Sequence, residues 1–150
     1  MTYIYQYFQF PAEFSVECPR CKSESRGNDV STIKKRWGSK GSEYISRTSL
    51  GAEKGTFVCN ISCLNCGFKN KRLISWPENA YWKFNIKGQV LWAWSRDHAR
   101  EIALFLKSKE RKPFKFRFIA SLHHIPKHFK LAKNRDIVIR QIERKLNEGI

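Results

Sequence analysis

Two pairs of cysteines stand out among the residues that could do chemistry. Each pair has two residues between its cysteines, in the segments Cys18-Pro19-Arg20-Cys21 and Cys63-Leu64-Asn65-Cys66-Gly67. A C-x2-C segment turns the backbone so that both thiolates point at one ion, while amides of the turn donate hydrogen bonds to the sulfurs. Gly67 suits the exit from such a turn, because glycine adopts left-handed backbone conformations without a Cβ clash. The spacing predicts one four-thiolate metal site.

The chain has five cysteines, and four of them lie in these two pairs. The odd number and the absence of a secretory leader favour metal ligation in a reducing compartment over a disulfide scaffold. We therefore expect one structural zinc ion per chain, bound by Cys18, Cys21, Cys63 and Cys66. The fifth cysteine, Cys59, offers a rival pairing with Cys63, but a buried position on a strand is favoured for it. Its substitution is expected to leave the metal bound.

The order C-P-x-C, then C-x-x-C-G, with short alternating apolar stretches before each pair, resembles a zinc ribbon over about residues 14–74. The resemblance implies β-hairpins with a cysteine pair at each tip and a metal ion in place of a hydrophobic core. The chain departs from a compact ribbon in the 41 residues 22–62, so an extended or mobile insertion is expected. Residues 75–150 resemble the C-terminal parts of uncharacterised small bacterial zinc-ribbon proteins. This resemblance does not indicate a particular activity.

Alternating apolar residues predict the strands around the cysteine pairs. Short strands are expected over residues 3–10, 14–17, 56–62 and 68–74. Residues 22–55 are polar and punctuated by glycines, so parts of this segment are expected to be a mobile loop.

The second half begins with a predicted β-hairpin. Residues 81–87 alternate between apolar and polar, residues 88–89 form the turn, and residues 90–94 are apolar enough to lie against a helix. Its three tryptophans, Trp82, Trp92 and Trp94, are expected in a core rather than on a binding surface.

Helices are predicted after this hairpin. The first covers residues 96–109, with Ser95 as its N-cap and Asp97 in its first turn. Its outer face would carry Arg96, Arg100, Lys107 and Lys109. A short helical turn is expected over residues 126–131, and Asn134 is expected to cap a final helix over residues 135–148.

These elements predict the α+β class, as a zinc ribbon with antiparallel β-hairpins, followed by a hairpin and two to three helices packed on it. We expect residues 1–75 to hold the ribbon, an N-terminal strand and the long polar insertion. Residues 76–150 would hold the basic hairpin and the helical region. A chain of 150 residues also suits one continuous domain, which remains the alternative.

The chain is strongly basic, with 29 Lys and Arg against 13 Asp and Glu and a net charge of +16. Residues 1–70 carry 10 basic and 6 acidic side chains, a net charge of +4, and residues 71–150 carry 19 and 7, a net charge of +12. Such a charge favours nucleic acid, then an anionic membrane surface, then an acidic protein partner. Residues 1–10 lack the features of a signal peptide, and no apolar run approaches the ~20 residues of a membrane span. We expect a cytoplasmic protein without a membrane partner.

Two basic segments are candidates for nucleic-acid binding. In the first, Lys34, Lys35 and Arg36 would meet phosphates while Trp37 stacks on a base. The alternative is a hairpin tip that the tryptophan anchors to the body of the protein.

The second basic segment contains Lys109, Arg111 and Lys112 and leads into Phe114–Phe118, where cations and phenyl rings alternate. On a strand, Lys115 and Arg117 would face phosphates together. The alternative is a solvated linker followed by an edge strand that charge protects from pairing.

The histidine cluster of the sequence is formed by His123, His124 and His128. A second metal site is one interpretation, but no carboxylate or asparagine stands at a recognisable nuclease spacing, so polar surface histidines are favoured. The function favoured by the sequence is a non-catalytic zinc-binding module that binds DNA or RNA through a basic surface. The alternatives are a protein-interaction adaptor in a larger intracellular complex and a metal-dependent nuclease.

Overall fold

The computed structural model describes residues 12–35, 42–46, 56–108, 122 and 125–148, of which 31–35 and 42–46 are described as backbone only. The described residues form seven strands and three helices, so the predicted α+β class is confirmed. The chain divides into two compact units, Thr2–Tyr81 and Trp82–Ile150. Each unit is taken by itself below.

The first unit contains an antiparallel sheet. Its strands are β1 (Glu13–Glu17), β2 (Glu24–Lys35), β3 (Ser42–Ser46), β4 (Thr56–Ser62) and β5 (Lys69–Ser75). The sheet order is β1-β2-β4-β5, and β3 pairs with the far end of β2. The predicted strands over 14–17, 56–62 and 68–74 are confirmed to within one residue at each end. The strand predicted over 3–10 lies outside the described residues.

The described part of residues 22–55, where parts were expected to be a mobile loop, contains strands β2 and β3, and the rest of that segment lies outside the described residues. Strand β2 begins at Glu24 and pairs with β1 on one side and β4 on the other. Its inward-facing positions include Ser25 and Gly27, which are buried but not apolar. The usual alternation of apolar residues is therefore missing, although pairing on both sides stabilises the strand.

Aromatic side chains form the core of the first unit. The ring of Phe14 meets those of Phe57 and Trp76 edge to face, with centroids 5.9 Å and 5.7 Å away. Phe14 also lies opposite Gly27 in the β1–β2 register. A Cβ at Gly27 would lie 2.7 Å from Cε2 of Phe14, so the ring fills the space that a larger residue would need.

The second unit opens with the predicted hairpin, formed by β6 (Trp82–Ile86) and β7 (Gln89–Ala93). Ile86 pairs with Gln89, so the turn consists of Lys87 and Gly88, one residue earlier than predicted. Both turn residues have positive φ, 50° and 87°, as a two-residue hairpin turn of type I′ requires.

The remaining elements are α1 (Arg96–Lys107), α2 (Lys127–Lys130) and α3 (Ala132–Glu148). Ser95 caps α1 as predicted, since its side chain accepts a hydrogen bond from the His98 amide. The predicted burial of Trp82, Trp92 and Trp94 is also confirmed.

The predicted start of the last helix is wrong. Helix α3 begins at Ala132, and Asn134 lies inside it, fully buried, rather than at its N-cap. Nδ2 of Asn134 donates to the carbonyl of His128 at 2.8 Å. The side-chain amide of Asn134 therefore ties α3 to α2 instead of capping α3. At the start of α3, the Leu131 carbonyl accepts a hydrogen bond from the Arg135 amide at 2.8 Å.

Candidate metal centre

The four paired cysteines lie together, as predicted. Sγ of Cys18 is 3.6 Å from Sγ of Cys66, and Sγ of Cys21 is 3.6 Å from Sγ of Cys63. All four sulfurs lie within 4.8 Å of one another. These separations are too long for disulfides, whose S–S bond is about 2.05 Å, but they suit four ligands of one ion. The group could therefore hold a metal ion.

Two hairpin loops of equal length bring the cysteines together. The β1–β2 hairpin closes at the pair Glu17–Glu24, and the β4–β5 hairpin closes at Ser62–Lys69. Residues 18–23 form the first loop and residues 63–68 the second. Because β2 pairs antiparallel with β4, the start of β2 lies beside the end of β4, and the two loops meet at one edge of the sheet.

The two loops share the same backbone hydrogen bonds. In each, the first cysteine donates to the carbonyl five residues later and accepts from the amide four residues later. The bonds are Cys18 to Ser23 at 2.9 Å and Lys22 to Cys18 at 3.0 Å in the first loop, and Cys63 to Phe68 at 2.8 Å and Gly67 to Cys63 at 3.0 Å in the second. The positive φ expected at Gly67 is confirmed at 80°. Lys22 takes the equivalent place with φ of 66°, which no glycine in the sequence signals.

Hydrogen bonds from the two loops reach the sulfurs of Cys18 and Cys21. The amides of Arg20 and Cys21 donate to Sγ of Cys18 at 3.4 Å and 3.5 Å. Nδ2 of Asn65 reaches across from the second loop and donates to Sγ of Cys21 at 3.5 Å and to Oγ of Ser23 at 3.1 Å. Asn65 was not singled out from the sequence, because spacing along one loop does not show which residue reaches the other loop.

Without a metal ion, the thiols of this group differ in acidity. The hydrogen bond from Asn65, followed by those from Ser23, lowers the pKa of Cys21 to about 5. Burial raises the pKa of Cys18, but hydrogen bonds from the amides of Cys21 and Arg20 outweigh it, so that the pKa is lowered overall.

Cys66 shifts in the opposite direction. A hydrogen bond from the Phe68 amide lowers the pKa of Cys66, but burial and the neighbouring thiols together raise it to about 11. Four thiolates at this separation repel one another, and a cation between them is what would allow all four to ionise.

Cys59 does not belong to this group, as the sequence predicted. It lies on β4 opposite Arg72 and is fully buried. Burial raises the pKa of the Cys59 thiol to about 12, so it stays protonated. It packs as a small apolar side chain rather than acting as a ligand.

The surface beside the second loop combines cations with apolar side chains. The guanidinium groups of Arg20 and Arg72 lie 5.5 Å and 5.4 Å from the ring centroid of Phe68. Leu64, in the second loop, is 94% exposed.

The predicted nucleic-acid residues are not brought into a site that the structure describes. Lys34 and Lys35 belong to β2 and pair with Glu43 and Ser42 of β3. The structure describes only the backbone of these two lysines. The others lie outside the described residues altogether: Arg36, Trp37, Lys109, Arg111, Lys112, Lys115 and Arg117. Their role in binding stays a prediction.

Of the three histidines in the predicted cluster, only His128 is described. Its Nε2 lies 2.9 Å from the carbonyl oxygen of Ile86. This nitrogen therefore carries the ring proton and donates a hydrogen bond to the backbone of β6. Within the parts of the chain that the structure describes, the four cysteines are the one group of three or more His, Cys, Asp and Glu placed to hold a metal.

His98 was not singled out from the sequence, although it repeats at helical spacing with the inward-facing Ile102 and Phe105. It is 2% exposed, and its Nδ1 accepts a hydrogen bond from the Trp94 amide at 2.9 Å. Burial lowers the pKa of His98 to about 3, so its imidazole is neutral in the core of the second unit.

Comparison with protein-family models, curated proteins and solved structures found no match. The four cysteines nevertheless lie close together as they do in zinc ribbons. None of the described helices has the length and apolar character needed to cross a membrane.

Proposed function

We propose that the chain is a zinc-ribbon module that binds one structural zinc ion and uses a basic surface to bind nucleic acid. The observation that carries the metal assignment is the group of four cysteine sulfurs within 4.8 Å of one another. Four thiolates at the Zn–S distance of about 2.3 Å have S–S separations of about 3.8 Å. The two pairs at 3.6 Å fit that arrangement. Soft sulfur ligands select zinc over magnesium or calcium, which prefer oxygen.

A structural role follows from the number of ligands. Four protein thiolates complete a tetrahedral shell, so no position is left for a substrate or a reactive water. Cys18, Cys21, Cys63 and Cys66 would hold the ion, and the ion would link the β1–β2 loop to the β4–β5 loop. The module is therefore proposed to be non-catalytic.

The charge of the chain supports nucleic acid as the partner. The net charge is +16, and residues 71–150 carry most of the excess. Cations are also well displayed on the described surface: Lys69, Lys71 and Arg72 on β5 are all exposed, as are Arg140 and Arg144 on α3. Nucleic acid carries a dense and regular row of phosphate charges, so it gains from such a surface through the release of its counterions.

Zinc content tests the metal assignment. The purified full-length chain should contain one zinc ion per chain, measured by elemental analysis. Cys63→Ser should lose the ion and much of the folded structure, because removal of a ligand opens the shell. Cys59→Ser is the matched control, since it removes a buried thiol from the same strand that leads into Cys63, and it should retain the ion. A content of zero or two, or retention in Cys63→Ser, contradicts the assignment.

Salt dependence tests nucleic-acid binding. The zinc-loaded chain should bind labelled DNA and RNA oligonucleotides in a fluorescence anisotropy assay at 50 mM salt. For four or more phosphate contacts, the logarithm of the affinity should fall with the logarithm of salt concentration with a slope steeper than about −3. Absence of binding at low salt, or an affinity that does not change with salt, would rule out this function.

A second candidate function, docking on a protein, is favoured by the exposure of Leu64. Leu64 lies in the same loop as Phe68, whose ring is flanked by Arg20 and Arg72, and this combination suits an acidic partner with an apolar pocket. The aromatic hairpin β6–β7 is a poor docking element because its tryptophans are buried. A complex that survives nuclease treatment, is lost in Leu64→Asp and persists in Lys69→Gln would support this candidate.

A further inference from the structure

A groove runs between β6 and α3 in the second unit, with a volume of about 400 Å³. Four of its eight lining side chains are cationic: Lys83, Arg140, Arg144 and Lys145. Glu148 is the acidic residue among the described side chains that line it. This groove is called the basic groove below.

The two arginines of the basic groove are available to a ligand. Arg140 and Arg144 are both exposed, and they lie one helical turn apart, about 6 Å along the axis of α3. Across the described part of the chain, neither forms an ion pair or a hydrogen bond with an acidic side chain. Their guanidinium groups can therefore turn toward an anion without breaking an existing contact.

The other side of the groove is held in place by packing. Nζ of Lys145 lies 5.5 Å from the ring centroid of Trp82 and 5.8 Å from that of Phe84. Nε2 of Gln141 donates to the carbonyl of Asn85 at 3.4 Å, which ties α3 to β6. The ammonium of Lys145 and the backbone of α3 that carries both arginines are thus positioned by the fold before any ligand arrives, which lowers the entropic cost of binding.

We propose that the basic groove binds the phosphodiester backbone of a nucleic-acid strand, an inference that rests on the proposed function. A guanidinium group presents a planar fork of donors that matches phosphate oxygens, and Arg140 and Arg144 offer two such forks in a row along the groove. Among the described side chains of the lining the aromatic one is Phe84, which is only 5% exposed, so these side chains offer no platform on which a base could stack. The strand's backbone, rather than its bases, therefore fits this site.

The shape of the groove argues against the other polyanions. A flat bilayer cannot follow a concave surface, so lipid headgroups would reach its rim but not its floor. An acidic peptide would gain little from the groove, since Ile137 and Phe84 are the apolar side chains in its described lining and Phe84 is buried. Regularly spaced charge without apolar anchors is a property of the sugar-phosphate backbone.

The test compares two double variants of the zinc-loaded full-length chain. Arg140→Gln with Arg144→Gln removes two charges from the groove. Lys127→Gln with Lys133→Gln removes two charges from exposed residues of the same unit that do not line the groove. Circular dichroism checks that both variants are folded. Affinity is measured with single-stranded and duplex oligonucleotides, phosphatidylserine vesicles and poly-glutamate.

The groove variant should bind oligonucleotides at least about tenfold more weakly than the wild type, because two charge-assisted contacts are lost. The salt slope should become shallower by about 1.4 for single strands or about 1.8 for duplexes, as expected for two phosphates. The control variant should change the affinity by less than about threefold, because distant charges are screened.

Each contrary result has its own meaning. If the wild type binds oligonucleotides and both variants lose affinity equally, or neither does, the basic groove is not the site although the proposed function stands. If the wild type binds no oligonucleotide at low salt, the proposed function and this inference both fail. A groove-dependent affinity for vesicles or poly-glutamate that equals the affinity for oligonucleotides would overturn nucleic acid as the occupant.

Discussion

Lys22 and Gly67 adopt the same left-handed backbone conformation at equivalent positions of the two cysteine loops, residues 18–23 and 63–68, with φ of 66° and 80°. Each residue follows the second cysteine of its pair, and each amide donates to the carbonyl of the first cysteine at 3.0 Å. The two loops are therefore near copies in backbone geometry, although one has glycine and the other lysine at the strained position. A lysine in this conformation carries a conformational cost that glycine does not.

Lys22→Gly should stabilise the protein by up to about 1 kcal/mol, because relief of left-handed strain outweighs the greater entropy of glycine in the unfolded chain. Gly67→Ala should destabilise it by about 1 kcal/mol through the same strain, since an added Cβ would meet nothing within 4 Å. Denaturant unfolding of the zinc-loaded chain measures both changes. Lys22→Ala is the control, because it removes the ion pair with Glu17 but keeps the strain. Equal stability of Lys22→Gly and Lys22→Ala would contradict the argument.

Gly27→Ala should destabilise the first unit by about 1–3 kcal/mol, because the new methyl group overpacks a full core. Its Cβ would lie 2.7 Å from Cε2 of Phe14, and that ring is 3% exposed and packed against Phe57 and Trp76. The ring cannot move without disturbing both neighbours. The free energy of unfolding measures the effect, and combining the change with Phe14→Leu should recover part of the loss. Additive effects of the two substitutions would show that they are not in contact.

Asn65→Ala should weaken zinc binding by about tenfold, the lower end of the range for loss of a hydrogen bond that supports a metal ligand. Nδ2 of Asn65 donates to Sγ of Cys21 and to Oγ of Ser23, so its loss frees the Cys21 sulfur and uncouples the two loops. Competition with a chromophoric chelator measures the affinity. Leu64→Ala alters the neighbouring residue, whose side chain is 94% exposed, and should leave the affinity unchanged. An equal loss in both variants would assign the effect to the loop rather than to the hydrogen bond.

The predictions from the sequence were most accurate where a feature depends on a pattern of neighbouring residues. The cysteine spacing identified the four cysteines that the structure brings together, and the alternation of Trp82, Phe84 and Ile86 identified β6, because both signals lie within a few neighbouring residues. Strand β2 was missed because its inward positions include Ser25 and Gly27 rather than large apolar residues. Gly27 leaves room for the ring of Phe14 on the neighbouring strand. That fit is visible only once the strands are paired.

The features that escaped prediction depend on contacts between distant segments. Asn65 supports a cysteine of the other loop, and Asn134 bonds to a carbonyl of α2 rather than capping α3. The basic groove likewise needs Lys83 of β6 beside Arg140 and Arg144 of α3, which are more than fifty residues away in the chain. Charge composition predicted that a basic surface exists, but not where its cations converge.

The buried imidazole of His98 should make the stability of the protein fall in acid. Burial lowers the pKa of His98 to about 3 in the folded state, against 6.5 for an exposed histidine. Below pH 6.5 the unfolded chain therefore binds a proton that the folded chain excludes. The contribution of neutral His98 is fully present above pH 6.5 and is lost progressively as the pH falls toward 3.

Between pH 8 and pH 5 this linkage should cost the wild type about 2 kcal/mol of unfolding free energy. His98→Asn removes the titrating group while its side-chain oxygen can still accept the hydrogen bond from the Trp94 amide, so its stability should vary less with pH. The difference between the two chains isolates His98, because protonation of the metal-binding thiols affects both equally. Denaturant unfolding at several pH values measures this difference. If the unfolding free energies of the two chains changed with pH in parallel across this range, His98 would be protonated in the folded state as readily as in the unfolded chain. Its burial would then not hold the imidazole neutral.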